Sequence, residues 1–233
     1  FNNIDFDHPD MFESIEDIEV AFLELAHNIK SGGLLFVNGD DQRLKFFKDK
    51  VNKDIRIVTY GQKIDNDYCV SKIHLTGFES RFTVSKKNRE VGFFELSIPG
   101  EHNVKNALSV IAFLSELGYD ASKIRNGLKK FEGSNRRLEK VGSTKDGALI
   151  IDDYGHHPEE IQTTIRTLRS ALPDKKIIVI FQPHTFSRTK ALLTEFSTSF
   201  EGVEKLVLLP IFRSQRDTEN DTIENSVYID AFR

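Results

Sequence analysis

The chain has 233 residues, and its 32 Lys and Arg against 36 Asp and Glu give a formal net charge of −4 at pH 7. This charge balance excludes a strongly basic nucleic-acid binder, so no nucleic-acid partner is expected. A hydrophobic content of 39% excludes a disordered chain. The single cysteine, Cys69, excludes an internal disulfide framework and is typical of a reducing compartment.

The length corresponds to about one and a half domains at ~150 residues per domain. No apolar run approaches the ~18 residues that a membrane-spanning helix needs, so no membrane insertion is expected. Together with the single cysteine, these features predict a soluble, cytoplasmic protein.

The first third of the chain alternates between helical and strand patterns. Apolar residues spaced three and four apart predict a helix over 14–30, with Ser14 as its N-cap. Buried strands are predicted over 34–38 and 56–61, with a second helix over 40–50 between them. This βα rhythm favours a parallel sheet.

The pattern of polar and apolar residues changes in the middle of the chain. Three stretches between Tyr68 and Ile98 alternate partly between polar and apolar residues, which predicts a small antiparallel meander. Helices are predicted over 103–117 and 122–131, and the segment 133–135 (Gly-Ser-Asn) is the best linker candidate.

The α/β rhythm restarts after the linker. Strands are predicted over 148–152, 176–181 and 205–212, with helices over 158–172 and 187–200 between them. The predicted fold class is therefore α/β. A mostly parallel sheet with a small antiparallel flap is followed by a Rossmann-like domain.

A polar cluster directly follows each of these last three strands, over 152–158, 182–189 and 213–217. The carboxyl ends of parallel strands meet at one edge of a sheet, where open α/β folds bind their ligands. Helices that start after the first two clusters would present free N–H groups to an anion. The sequence therefore predicts a site at this edge.

Two histidine-containing segments each leave several interpretations open. His156 and His157 fit a helix start with one packed and one solvated ring, a zinc site, or a substrate or nucleotide pocket. No cysteine or third histidine lies at close spacing to support zinc. Asp7 and His8 fit a helix cap or a contact with a hard cation, although magnesium prefers oxygen ligands.

Two further pairs could bind a nucleotide. Asn103 and Asn106 lie three apart on one helix face, and carboxamides can both donate to and accept from the edge of adenine. Arg136 and Arg137 are either surface charges or phosphate contacts. The sequence contains no G-x-x-x-x-G-K-[ST] loop to cradle phosphates.

Five motifs, in this order, resemble the Mur ligases of peptidoglycan synthesis. The resemblance extends from about Asn2 to Arg216, and DDYGHHP followed by FQPHTFSRT is its most specific part. The five motifs are NIDFDHPDMF (3–12), IPGEHNVKNAL (98–108), FEGSNRRLE (131–139), IIDDYGHHPEEI (150–161) and FQPHTFSRTKALL (181–193).

The resemblance implies an ATP-dependent ligase with ATP and Mg²⁺ as cofactors. Its implied reaction joins L-alanine to the lactyl carboxylate of UDP-N-acetylmuramate through an acyl phosphate. A ligase that recycles a murein tripeptide onto the same acceptor is the alternative within the family. A non-catalytic nucleotide-binding regulatory module is the alternative from another class, and a homodimer is left open.

The resemblance also implies roles for residues that would meet ATP. His8 is similar to a magnesium contact, and Asn103 and Asn106 are similar to adenine contacts. Either Arg136 or Arg137 is implied to meet ATP at the hinge into the last domain.

The remaining implied roles belong to the last two motifs. Asp153 is similar to a ribose contact. Tyr154 and His156 are similar to residues that line the pocket for nucleotide and amino acid. His184 and Arg188 are similar to residues that meet the L-alanine carboxylate, and His156 and Arg188 are the implied catalytic residues.

The sequence also departs from the family pattern. Thr185 stands where some members have an arginine, and the phosphate loop is missing from the chain. We therefore expect residues 1–134 to be the second half of the central ATP-binding domain and 135–233 to be an incomplete C-terminal domain. We also expect this piece to be inactive by itself.

Overall fold

The computed structural model describes residues 1–8, 11–44, 47–214, 217 and 222–232. They form two compact units. The first unit comprises residues 1–6 and 14–132, and the second comprises 7–13 and 133–233. Within the described residues, no helix combines the length and hydropathy that crossing a bilayer requires.

The first unit begins its regular structure with α1 (Ile15–His27). The Ser14 hydroxyl accepts a hydrogen bond from the backbone N–H of Asp17 at 3.3 Å, and the Asp17 carboxylate accepts one from the N–H of Ser14 at 2.9 Å. This reciprocal box satisfies two N–H groups at the helix start. The predicted N-cap is confirmed.

The helix predicted over 40–50 is shorter in the structure. Its described helical part is α2 (Phe47–Lys50), while residues 45 and 46 lie outside the described chain. The Asp41 carboxylate accepts from the N–H groups of Arg43 and Leu44 at 2.8 and 3.3 Å. Such local bonds compete with helix formation, so a turn replaces the predicted first part of the helix.

A five-stranded sheet forms the centre of the first unit. Its strands lie in chain order, with β1, β2 and β3 parallel and β3, β4 and β5 antiparallel. The predicted meander, β3 to β5, therefore belongs to the same sheet as the parallel strands, because β3 pairs with β2. The α/β class with its parallel and antiparallel parts is confirmed. The strands are β1 (Leu34–Asn38), β2 (Arg56–Gly61), β3 (Tyr68–Thr76), β4 (Glu79–Lys86) and β5 (Arg89–Leu96).

Two helices, α3 (Glu101–Glu116) and α4 (Ala121–Lys129), complete the core of this unit. Three apolar residues of α3, spaced four and three apart, are fully buried: Val104, Leu108 and Ile111. Each such side chain contributes ~1.5–3 kcal/mol through burial. The sheet residues of the core are Val58, Tyr60, Tyr68, Val70, Phe82, Val84, Phe94 and Leu96.

The second unit starts with a hairpin that the sequence did not predict in full. β6 (Glu139–Ser143) pairs antiparallel with β7 (Leu149–Asp152). The predicted strand is β7, whereas β6 is almost entirely exposed and carries no alternating pattern. The predicted helix follows β7 as α5 (Pro158–Ala171), with proline at its first turn.

A βαβ unit follows α5 along the chain. β8 (Ile178–Phe181) and β9 (Lys205–Leu208) are parallel. The crossover predicted as one helix is broken at Leu192 into α6 (Phe186–Ala191) and α7 (Leu193–Thr198). Parallel strands joined by a helical crossover are the building block of Rossmann-like folds. The pairing of β8 with β9 therefore agrees with the fold class predicted for this part of the chain. A short helix, α8 (Asn225–Asp230), follows.

A charged cluster stabilises one end of the first unit. Glu116, with a side chain only 8% exposed, accepts from the Tyr68 hydroxyl at 2.9 Å and from Lys86 at 2.8 Å, and it also binds Arg56. Burial alone would raise the pKa of Glu116, but Lys86, Tyr68 and Arg56 outweigh it and lower the pKa to about 2. The ionised carboxylate therefore joins α3 to the starts of β2 and β3 and the end of β4.

We predict that Glu116→Gln lowers the free energy of unfolding by about 2 kcal/mol at pH 7, measured by urea denaturation. The folded pKa of about 2 lies below the usual 4.5, so this stabilisation is present above pH 4.5 and is lost as the pH falls towards 2. The exposed Glu24 of α1 provides the control, Glu24→Gln. A Glu116→Gln variant as stable as this control would contradict the prediction.

Candidate functional site

The loop after β7 is shaped by the carboxylate of Asp153. Its Oδ2 accepts from the N–H of Leu138 at 2.9 Å, and its Oδ1 accepts from the N–H of Gly155 at 2.8 Å. A Cβ on residue 155 would lie 2.7 Å from that Oδ1, so a larger residue there would displace the Asp153 carboxylate. Asp153, the predicted ribose contact, therefore joins this loop to the segment that carries both predicted arginines.

Within the second unit, Tyr154 lies against both predicted arginines. The guanidinium carbons of Arg136 and Arg137 are 4.9 and 5.9 Å from the centre of its ring. Its backbone N–H donates to the carbonyl of Arg136 at 2.7 Å. A carboxylate holds each arginine: Arg136 binds Asp152 at 3.2 Å, and Arg137 binds Glu160 at 3.1 Å. Two cations thus lie against one exposed aromatic ring.

The two adjacent histidines have different surroundings. His157 is the N-cap of α5, where its Nδ1 accepts from the N–H of Glu159 at 3.4 Å. His156 packs edge-on against Tyr154, with ring centres 5.0 Å apart. The structure therefore separates a helix cap from a ring that faces the predicted pocket.

A chain of rings continues from His156 to the second polar cluster. The ring centre of His184 is 6.5 Å from that of His156, and His184 stacks on Phe212 at 5.2 Å. Burial and the nearby charges of Arg188 and His156 lower the pKa of His184, against an opposing effect from Asp217. This direction favours the uncharged form of the His184 imidazole.

Arg188 is a buried cation with a partner inside the second unit. Its residue is 6% exposed, and its Nε and Nη2 both lie 3.0 Å from Oδ1 of Asp7. Partial burial raises the pKa of Asp7, but the N–H of His8 and the charge of Arg188 outweigh this effect and lower it. The guanidinium predicted to meet an amino-acid carboxylate thus already binds a carboxylate.

Thr185, the position that departs from the family pattern, sets the backbone next to Arg188. Its hydroxyl accepts from the N–H of Arg188 at 3.3 Å, and its φ of 72° is in the left-handed region. This conformation is costly for a β-branched residue. The loop is also held by Asp217, which accepts from the N–H groups of Phe186 and Ser214 at 3.0 and 2.7 Å.

His8 belongs to the second unit, and its Nε2 lies 3.7 Å from Oδ2 of Asp7. Across the described ranges of the chain, no three His, Cys, Asp or Glu side chains are grouped so that they could hold a metal ion. Magnesium prefers several oxygen ligands, and Oδ1 of Asp7 already binds Arg188. The described residues therefore do not form a magnesium site by themselves, and the role of His8 stays a prediction.

Asn103 and Asn106 lie in the first unit, near the start of α3. The side-chain amide of Asn103 donates to the carbonyl of Pro99 at 2.7 Å, so it helps to fix the helix start. The carbonyl oxygen of Asn106 accepts from the amide of Asn2 at 3.2 Å. Their predicted contact with adenine stays a prediction.

Sequence reasoning did not predict the ion pairs and hydrogen bonds through which carboxylates organise these residues. Asp152 and Asp217 belong to the polar clusters found in the sequence, but neither was given a role of its own. In the cluster 213–217, residues 215 and 216 lie outside the described chain. Glu160 completes a capping box whose N-cap is His157, and histidine is not among the residues that usually mark such a box. Asp7 is 181 positions from Arg188, so no local pattern connects them.

The chain matches family models of two consecutive domains. The Mur ligase middle domain matches residues 1–114, and the Mur ligase, glutamate ligase domain matches residues 136–232. Similar proteins include the UDP-N-acetylmuramate–L-alanine ligase of Desulfitobacterium hafniense, 39% identical over 228 residues. That alignment covers 98% of this chain and 50% of the relative.

Two other proteins support the same similarity. The UDP-N-acetylmuramate–L-alanine ligase of Lactobacillus delbrueckii is 40% identical over 221 residues, which cover 94% of this chain and 48% of the relative. The crystal structure of the UDP-N-acetylmuramate–alanine ligase of Thermotoga maritima has a TM-score of 0.70 and 27% identity. The match covers 88% of this chain and 44% of that one. The chain thus spans about half the length of the curated relatives it matches.

We predict that Asp7→Asn lowers the free energy of unfolding of the second unit by about 2 kcal/mol, because it leaves the Arg188 guanidinium buried without its carboxylate. Urea denaturation measures this loss. The double variant Asp7→Asn/Arg188→Leu is expected to recover more than half of it, since no buried charge then lacks a partner. Single and double variants that lose equal stability would contradict the proposed importance of the ion pair.

Proposed function

Because the chain belongs to the Mur ligase family, we propose that the protein containing it joins L-alanine to the lactyl carboxylate of UDP-N-acetylmuramate at the expense of ATP. The observation that carries this proposal is the identity of 39–40%, over nearly all of the chain, to two ligases with that name. The sequence of the motif at 152–158, DDYGHHP, favours L-alanine over the murein tripeptide as the incoming group.

The reaction we propose has two steps. A lactyl carboxylate oxygen attacks the γ-phosphorus of ATP, ADP leaves, and an acyl phosphate forms. The amine of L-alanine then attacks the carbonyl carbon, loses a proton and displaces inorganic phosphate. No enzyme nucleophile is needed, so catalysis consists of positioning, charge stabilisation and proton transfer.

For the nucleotide, we propose the contacts that the family resemblance implies. Asn103 and Asn106 would bind adenine, and Asp153 would bind ribose. Arg136 and Arg137, held against Tyr154, would meet the phosphates, where guanidinium groups bind oxygen anions bidentately. Magnesium would be supplied as a complex with ATP, and in that complex it would stabilise negative charge on the phosphoryl oxygens.

For L-alanine, we propose a pocket lined by Tyr154, His156, His184 and Arg188. The uncharged imidazole of His184 suits a group that accepts the proton lost by the attacking amine, with His156 next to it. Arg188 would bind the amino-acid carboxylate. Its contact with Asp7 illustrates the type of group this guanidinium binds, and the substrate would share or displace that partner.

The wider organisation follows from the same proposal. We propose that residues 1–134 are the second half of an ATP-binding domain and that 135–233 are most of a C-terminal domain. Because the chain contains no G-x-x-x-x-G-K-[ST], the loop that cradles the ATP phosphates would lie outside residues 1–233, and this piece would be inactive by itself. A cytoplasmic location fits the free thiol of Cys69. A homodimer stays a prediction that light scattering can test.

Phosphate release by the full-length protein tests this function. With ATP, magnesium and UDP-N-acetylmuramate, we predict that L-alanine gives a kcat/KM at least about tenfold above those of glycine, L-serine and the murein tripeptide. Reactions without UDP-N-acetylmuramate provide the control and should release no phosphate above background.

Two results would contradict the proposal in different ways. Phosphate release with the tripeptide alone would replace L-alanine by the recycling substrate. Absence of release with every amino acid and with the tripeptide would favour a non-catalytic nucleotide-binding module.

A further inference from the structure

We propose that Glu160 is a positioning residue that fixes the Arg137 guanidinium for the nucleotide and the His156 backbone for the amino-acid pocket. Glu160 lies in the first turn of α5, inside the motif 150–161, but the resemblance implied no role for it. This inference rests on the proposed nucleotide role of Arg137.

The two carboxylate oxygens of Glu160 have different partners. Oε1 accepts from Nη1 of Arg137 at 3.1 Å. Oε2 accepts from the N–H groups of His156 and His157 at 3.0 and 3.3 Å, and it lies 3.7 Å from Nδ1 of His156. One carboxylate thus connects a residue assigned to ATP with a residue assigned to L-alanine.

The charge of Glu160 is needed for one of these contacts and not for the other. Partial burial raises its pKa, but the N–H of His156 and the Arg137 guanidinium outweigh this effect and lower it. In a capping box, the N–H groups at a helix start can donate to a side-chain oxygen of either Glu or Gln. The guanidinium, in contrast, binds a carboxylate far better than a neutral amide.

The two arginines at Tyr154 can therefore be tested separately. Arg136 binds Asp152, whereas Arg137 binds Glu160. Glu160→Gln keeps an oxygen for the cap of α5 but removes the charge that holds Arg137. A purely structural role in the helix cap would affect both arginines equally, but a positioning role would affect Arg137 alone.

A double-mutant cycle in the full-length protein tests this inference, with the dissociation constant of ATP measured by calorimetry. Glu160→Gln and Arg137→Ala are each expected to weaken ATP binding about three- to tenfold. The Glu160→Gln/Arg137→Ala variant should bind ATP no more weakly than Arg137→Ala. Adding Glu160→Gln to Arg136→Ala should instead multiply the two effects.

Two controls complete the cycle. Glu159→Gln removes the same charge from the same helix turn, at an exposed side chain, and should leave ATP binding unchanged within about twofold. Glu160→Asp keeps the charge and should restore part of the affinity lost in Glu160→Gln.

The inference is overturned if Glu160→Gln has its full effect in the Arg137→Ala background, or if either single variant binds ATP like the wild type. The proposed function is judged separately. A protein that binds ATP but releases no phosphate with L-alanine refutes the ligation, while the cycle in ATP affinity still decides the role of Glu160.

Discussion

The ion pair between Arg188 and Asp7 is the contact on which the second unit depends. It joins the segment 7–13 to residues 181 positions further along the chain. An arginine that is 6% exposed cannot leave its charge without a partner, because an uncompensated buried cation costs several kcal/mol. The ion pair also fixes the orientation of the Arg188 side chain, which the proposed reaction needs in order to bind the substrate carboxylate.

Carboxylates organise the rest of the candidate site in the same way. Asp152 and Glu160 hold two guanidinium groups against Tyr154, and Asp153 fixes the loop that carries this ring. The cations are thus oriented before any ligand binds, which reduces the entropy lost on binding. Each arginine of the candidate site therefore has its own acidic partner.

Local pattern predicted the elements that depend on local interactions. The Ser14 cap and the buried stripe of α3 follow from spacing that neighbouring residues determine. In contrast, β6 is exposed and has no periodicity, and the break at Leu192 interrupts a continuous apolar pattern. The polar clusters contain most residues of the candidate site, but the long-range pairing of Arg188 could not be predicted, because no spacing rule connects residues so distant in sequence.

The central claim is that the protein containing this chain activates a carboxylate as an acyl phosphate. Its most direct test uses UDP-N-acetylmuramate with ¹⁸O in both lactyl carboxylate oxygens, together with ATP, L-alanine and the full-length protein. The account predicts that each inorganic phosphate released carries one ¹⁸O, because the oxygen that attacks the γ-phosphorus leaves with it. Unlabelled phosphate, with both ¹⁸O atoms still in the sugar carboxylate, would contradict the account.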